Sequence, residues 1–239
     1  MHLSDYVDPS GVLRFASSSE TLLLSSSTSR DTSMITLKFA SENGLFVRPF
    51  VGVHPSEATE EPSLDWLDKA ARRAAGVGEI GLDPKYSEIG ERSAQMRVFK
   101  EQLSLAGRLG KPVQVHSRGA EAECLRLLPS FSPSAVLLHW FQGDVFAAEA
   151  SNRGYFVSFG PALLHSKKLQ KMASNYAEGL ILTESDGPVS FASLGGAGGP
   201  WLVPSVVHKL AELWRRSFGE TVELLVKNGT AYLAARGKG

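Results

Sequence analysis

Short runs of hydrophobic residues alternate along the chain with longer segments in which apolar residues recur every three or four positions. The short runs predict β-strands at residues 22–24, 46–53, 76–82, 113–115, 135–138, 155–159 and 180–183. The longer segments predict helices at residues 28–43, 65–75, 92–109, 120–128, 145–152, 167–176, 205–217 and 221–235. Because strands that alternate with helices form parallel sheets covered by helices, the pattern predicts an α/β fold.

The seven predicted strands are one fewer than a TIM-type (β/α)8 barrel contains. We therefore predict such a barrel with its first strand, which would precede His2, truncated or missing. Segment 187–204 is rich in Gly and Pro, and residues 195–199 within it are expected to form a mobile loop. No linker, repeat or block of like charge divides the chain, so residues 1–239 are expected to form a single domain.

The composition restricts the kinds of partner that the protein can bind and the cellular compartment that suits it. The 25 basic and 25 acidic residues cancel, so an anionic substrate would need a local positive site. The single cysteine, Cys124, excludes an internal disulfide framework and a cysteine-based zinc site, and it fits a reducing compartment. The chain opens without a basic and apolar leader, and none of its apolar runs approaches membrane-spanning length. We expect a soluble cytoplasmic protein.

Titratable residues stand at the ends of successive predicted strands. His54 ends the second strand, Glu79 lies in the third, His116 and His139 end the fourth and fifth, and Asp186 follows the seventh. The carboxyl ends of barrel strands meet at one face, where the chemistry of such folds takes place. Each residue has a simpler alternative, since a strand-end Glu can be held by an Arg and an Asp before Gly-Pro can form a turn.

Together these side chains indicate a metal site. Acidic groups are rarely buried unless they are paired or bound to a cation, and histidine with carboxylate suits Zn, Mn, Mg or similar divalent ions. We therefore expect one or two divalent ions at this face. His165 and His208 lie on helical segments away from the strand ends and are predicted to be surface or packing residues.

Five motifs in order carry a family resemblance. They are GVHP (52–55), GEIGLD (78–83), PVQVHSR (112–118), LHWFQG (138–143) and TESDGP (183–188). With them the chain resembles the TatD-related metal-dependent hydrolases of the amidohydrolase-like superfamily, from about residue 51 to its C-terminal end. The resemblance implies hydrolysis of phosphodiester bonds in DNA by a metal-activated water, with exonuclease character.

The resemblance also implies roles for individual residues. Glu79 would bridge two metals, with His116 and His139 completing one site and His2 and Asp186 completing the other. Asp186 would also accept the proton of the attacking water, so Glu79 and Asp186 are the expected catalytic residues.

Four further residues are expected beside the metals or the substrate. His54 would line the pocket, and Asp83 and Glu184 would be nearby acidic residues. Arg118 would orient a phosphate or a neighbouring carboxylate.

The chain departs from the family pattern at its N-terminus. The family has an Asp-x-His-x-His pattern there, and His2 matches only its second histidine. We expect two unequal metal sites, the one that contains His2 being the weaker. Two alternatives stay open: a barrel relative with reduced or lost catalysis, and a metallohydrolase of a small substrate. Many of the latter carry a carboxylated Lys at the fourth strand, which here ends in His116.

Overall fold

The computed structural model of the protein describes residues 1–58, 63–86, 91–191 and 196–235. Seven parallel strands form one sheet in which the strands are neighbours in the order of the chain. They are β1 (Leu23–Ser26), β2 (Val47–Val51), β3 (Gly76–Gly81), β4 (Val113–His116), β5 (Val136–Leu138), β6 (Phe156–Phe159) and β7 (Ile181–Thr183). A short antiparallel pair, β8 (Ser190–Phe191) and β9 (Gly196–Ala197), follows β7.

Helices connect the strands, as the alternating pattern predicts. They are α1 (Pro9–Ser18), α2 (Arg30–Glu42), α3 (Asp65–Arg73), α4 (Glu91–Leu109), α5 (Glu121–Leu127), α6 (Ala147–Asn152), α7 (Lys167–Asn175), α8 (Val203–Trp214) and α9 (Phe218–Ala234). Within the described ranges, no helix combines the length and the apolar character needed to cross a membrane.

The sheet curls around an apolar interior. Side chains on its outer face, such as Val77 and Leu138, pack with the helices into the main core. On the inner face, Phe50 of β2 and Phe156 of β6 both contact Tyr232 of α9, at ring-centroid distances of 6.0 and 5.4 Å. Strands from opposite parts of the sheet therefore surround one aromatic ring. The curled parallel sheet confirms the predicted TIM-type barrel with a missing first strand.

Two N-terminal residues occupy the gap between the edge strands β1 and β7. The Ser26 amide donates to the Met1 carbonyl at 2.8 Å, and the His2 amide donates to the Gly187 carbonyl at 2.8 Å. These bonds connect the N-terminus to both edges of the sheet, where an eighth strand would lie. They also carry the His2 imidazole to the face at which the strands end.

The sequence pattern missed α1 and misplaced the start of α9. Both helices have clear start signals: Asp8 caps α1 by accepting from the Gly11 amide, and Ser217 forms a capping box with Glu220. The structure describes most of residues 195–199, for which the sequence predicts a mobile loop. Gly195 lies outside the described residues, whereas Gly196 and Ala197 form β9.

Candidate metal centre

An irregularity in β3 directs the Glu79 side chain toward the mouth of the barrel, which is the face where the carboxyl ends of the strands meet. The register of β3 against β4 shifts between Val77 and Ile80, and such irregularities re-aim side chains. Gly81 follows with φ +146°, and a Cβ there would lie 1.9 Å from the His116 carbonyl oxygen. Only glycine fits this close approach of the two strands. As a result, the Glu79 side chain faces the ends of the neighbouring strands although only 3% of the residue is exposed.

The carboxylate of Glu79 lies at the centre of the histidines. Its Oε1 accepts from His116 Nδ1 at 2.7 Å and lies 3.6 Å from His54 Nε2 and 3.8 Å from His139 Nε2. Its Oε2 lies 3.2 Å from His2 Nε2 on the other side. One oxygen of the carboxylate therefore faces three imidazoles and the other faces the imidazole of His2.

Asp186 joins the two groups. Its Oδ1 lies 3.1 Å from His139 Nε2 and 3.8 Å from His2 Nε2. The residue has φ +44°, in the left-handed region that non-glycine residues seldom adopt. The turn after β7 thus holds the carboxylate against both His2 and His139.

Two outer carboxylates orient the histidines from behind. Asp83 Oδ2 accepts from His116 Nε2 at 2.7 Å, and Glu184 Oε2 accepts from His139 Nδ1 at 2.6 Å. Each imidazole therefore has one nitrogen on an outer carboxylate and the other directed toward the centre, an arrangement typical of metal-binding histidines.

The outer carboxylates have supports of their own. Asp83 Oδ2 also accepts from Arg118 Nε at 2.8 Å and lies 2.7 Å from its Nη2. Glu184 Oε2 accepts from Ser158 Oγ at 2.6 Å, on the inner face of β6. Asp83 is thereby held by the segment after β4, and Glu184 by β6.

Charge interactions keep the central carboxyl groups ionised. Burial opposes ionisation of Glu79, but the imidazoles of His139 and His116 hold its pKa well below the usual range. Burial likewise opposes ionisation of Asp186, and His139 lowers its pKa on balance. Both groups are therefore negatively charged at neutral pH.

Burial and the neighbouring carboxylates shift the pKa values of three of the histidines in different directions. Burial lowers the pKa of His54 to about 4, because the attraction of Glu79 does not offset desolvation. Burial also disfavours the charged form of His116, but its hydrogen bond to Glu79 raises the pKa on balance. For His139, the carboxylates of Glu184 and Glu79 outweigh burial and raise the pKa well above the usual value.

The donor set fits a divalent cation. Ligand atoms of His54, Glu79 and His116 lie within 4.8 Å of one another. Among the described residues, Glu184 Oε1 and Asp186 Oδ1 are buried without a hydrogen bond of good geometry. Buried oxygen atoms without partners cost free energy, and a cation offsets that cost. Imidazole and carboxylate together, with no thiolate, suit Zn, Mn and similar ions.

The family model described as TatD related DNase matches residues 1–233 of the chain. The chain belongs to this family. A human protein named deoxyribonuclease TATDN3 is 30% identical over 199 residues, which cover 77% of this chain and 73% of the human protein. A Bacillus subtilis protein named as an uncharacterized metal-dependent hydrolase, YabD, is 26% identical over 194 residues, covering 77% and 76% of the two chains.

A solved TatD-family structure has the same overall fold. The crystal structure of the Escherichia coli TatD homologue YJJV superposes with a TM-score of 0.84 at 25% sequence identity, covering 96% of this chain and 94% of that chain. A phosphotriesterase homology protein of the same species superposes at 0.64 with 16% identity, so that likeness concerns the fold alone. This TatD-family chain is thus a metal-dependent hydrolase by family.

The structure brings together the side chains that sequence reasoning placed at this face. Of the expected metal ligands, His2, His116 and His139 lie within 3.8 Å of a Glu79 oxygen, and Asp186 lies within 3.8 Å of His2 and His139. Asp83, Glu184 and Arg118 lie behind the histidines. His54, expected only to line the pocket, is one of three residues close enough to share a cation. By contrast, His165 and His208 are exposed and lie apart from the cluster.

Sequence reasoning did not single out Tyr86 or Ser158. The Tyr86 ring lies 5.8 Å from the ring of His54 and packs against Arg118, whose guanidinium carbon is 5.1 Å from the ring centroid. Ser158 is a small polar residue in an otherwise apolar strand, which is a weak sequence signal for a residue of the site. Tyr86 carries no signal in the sequence beyond its position three residues after Asp83.

Proposed function

We propose that this TatD-family protein is a divalent-metal-dependent phosphodiesterase that cleaves DNA. One observation carries the proposal: Glu79 presents Oε1 to His116 and Oε2 to His2. A buried carboxylate with imidazoles on both sides is suited to bridge two cations. The names of the relatives support the choice of reaction, since the human protein is called a deoxyribonuclease.

Two groups of residues would hold the ions. Glu79, His116 and His139 would form one site, with His54 close enough to contribute a further nitrogen. Glu79, His2 and Asp186 would form the other. Zn, Mn and Mg are the candidate metals. Divalent cations held in this way supply charge stabilisation to a phosphoryl group and lower the pKa of water.

The side chains of the protein have their own roles in the proposed reaction. Asp186 would accept the proton of the attacking water, because its Oδ1 is ionised, faces the centre and has no well-oriented hydrogen bond. Glu184 would hold His139 in the tautomer that directs Nε2 inward. Arg118, half-exposed beside Asp83, would orient a non-bridging phosphate oxygen.

A nuclease assay tests the proposal. The purified chain is treated with a chelator, dialysed, and assayed on single- and double-stranded DNA with added Mn²⁺, Mg²⁺ or Zn²⁺. We expect hydrolysis with at least one metal, none with chelator, and loss of activity in His116→Ala. His208→Ala is the matched control, because His208 is exposed on α8 and contacts Glu212. Metal binding without cleavage of either DNA would contradict the proposal.

A further inference from the structure

A cleft opens beside the Asp186 side of the metal centre. Its volume is about 300 Å³, and it lies between the N-terminal segment and the loop after β7. Its lining includes Asp5, Tyr6, Asp8, Pro188 and Trp201. Ligand pockets span roughly 300–1,000 Å³, so this cleft suits a single ring system rather than a large ligand.

The most prominent side chain of the cleft is Trp201, which is 44% exposed. Its ring makes edge contacts with Tyr6 at 6.5 Å and with Phe15 at 6.2 Å. It also lies against Gly199, where an added Cβ would come within 2.3 Å of the indole. The indole is therefore held in place by three neighbours and still presents a large surface to solvent. An aromatic ring fixed in this way is a platform on which a planar group can stack.

Tyr6 connects the cleft to the segment that carries Asp186. The Tyr6 hydroxyl donates to the Gly198 carbonyl at 2.7 Å, and a Cβ on Gly187 would lie 1.7 Å from that hydroxyl. Gly187 directly follows Asp186, and its carbonyl accepts from the His2 amide. The same two segments therefore carry both the cleft and one half of the candidate metal site.

The charges around the cleft favour a neutral occupant. Asp5 and Asp8 line the cleft, and Asp186 directly precedes Gly187, which packs on the Tyr6 hydroxyl. A phosphate in the cleft would therefore lie among carboxylates. Arg14 contacts the Asp8 carboxylate at 3.5 Å. Arg118 follows β4 and contacts Asp83, behind His116 of the metal centre. A strand of nucleic acid would accordingly place its phosphate toward the metals and Arg118, and a neutral ring toward the cleft.

We propose that the cleft of Tyr6, Pro188 and Trp201 binds a nucleobase adjacent to the scissile phosphate, by stacking on Trp201. This inference rests on the proposed nuclease function. Carboxylates at the rim are suited to accept hydrogen bonds from the amino groups of a base, while the apolar lining excludes the phosphate. The site thus separates the two parts of a nucleotide, with the phosphate on one side and the base on the other.

Kinetics on two substrates test the proposal. The substrates are a single-stranded oligodeoxynucleotide and a strand of equal length made of abasic deoxyribose phosphates. We expect KM of the unaltered protein to be lower for the base-containing strand by roughly tenfold, since stacking on one aromatic side chain has an effect of this order. Trp201→Ala should raise KM for that strand to the abasic value, while Trp201→Phe retains part of the difference. An equal effect of Trp201→Ala on both strands would overturn the assignment.

A binding measurement separates this inference from the nuclease proposal. Deoxyadenosine is titrated into the metal-free chain while tryptophan fluorescence is recorded; the chain has four tryptophans. We expect saturable quenching that is lost in Trp201→Phe, weakened in Gly199→Ala and retained in Trp66→Phe. If the protein cleaves no DNA but shows this pattern, the nuclease function fails and the nucleobase site stands. Quenching that persists in Trp201→Phe, or no saturable quenching, refutes the site.

Discussion

The two oxygens of the Glu79 carboxylate face different numbers of imidazoles. On the side of Oε1, three imidazoles from the ends of β2, β4 and β5 approach the carboxylate, and two of them are held from behind by Asp83 and Glu184. On the side of Oε2, there is one imidazole, that of His2. The first side (the strand side) is thus richer in nitrogen donors than the second (the N-terminal side).

The supports of the two sides differ as well. His2 is held by backbone groups: its amide bonds to Gly187, and its Nδ1 lies 3.1 Å from the Ser26 carbonyl oxygen. A backbone carbonyl fixes a ring but adds no negative charge, whereas a carboxylate behind the ring also makes it a stronger ligand. This difference in support predicts that ions bound on the two sides would be held with unequal strength.

Replacing the shared carboxylate should have the largest effect, because it belongs to both sides. We expect Glu79→Gln to lower the rate of DNA hydrolysis on the order of 10³-fold, as metal-based charge stabilisation accounts for several kcal/mol. Isothermal titration of the variant should show that both ions bind more weakly. Glu101→Gln, an exposed position on α4, is the control. Loss of only one ion in Glu79→Gln would show that the carboxylate does not bridge.

The strand side should also depend on the carboxylate behind His139. We expect Glu184→Gln to weaken metal binding by roughly 10–100-fold, because the amide supports the imidazole less well than a carboxylate does. Glu178→Gln is a matched control. Glu184 directly follows β7, whereas Glu178 precedes β7, at the opposite end of the barrel, and contacts Arg216 at the surface. Metal titration checks both variants. An equal effect in the two would remove the special role of Glu184.

Much of the strand side could be predicted from sequence. Because parallel strands end at one face, the sequence alone predicts that a polar residue at the end of each apolar run lies there, and His116 and His139 are two such residues. The ring pairings could not be predicted. That His116 contacts both Glu79 and Asp83 depends on the shifted register of β3 and the close approach at Gly81, which periodicity does not reveal.

The N-terminal side was harder to predict for a different reason. His2 precedes any recognisable strand, so its position depends on backbone bonds to Ser26 and Gly187, which are distant in sequence. The hydrophobic pattern does not predict helix α1, although Asp8 and Pro9 mark its start. The cleft with Trp201 arises only when these N-terminal residues pack on the loop after β7.

Direct measurement of the two affinities sharpens the comparison. We expect a metal titration to show two classes of site that differ by roughly tenfold or more, because ligand support alone changes affinity by this amount. His116→Ala should remove the tighter class, and His2→Ala the weaker. His165→Ala, at an exposed position, should change neither. Two sites of equal affinity, or loss of the tighter class in His2→Ala, would contradict the unequal arrangement.

The smallest expected effect concerns Arg118, which supports the strand side from its rim. Its Nε and Nη2 both approach Asp83 Oδ2, and 48% of the side chain is exposed. Arg118→Lys keeps the charge but loses the paired donors, so we expect roughly a fivefold fall in kcat/KM with metal affinity unchanged. Arg92→Lys, which alters an exposed pair with Glu123, should be neutral. A fall in metal affinity in Arg118→Lys would instead show that Asp83 needs Arg118 in order to orient the His116 imidazole.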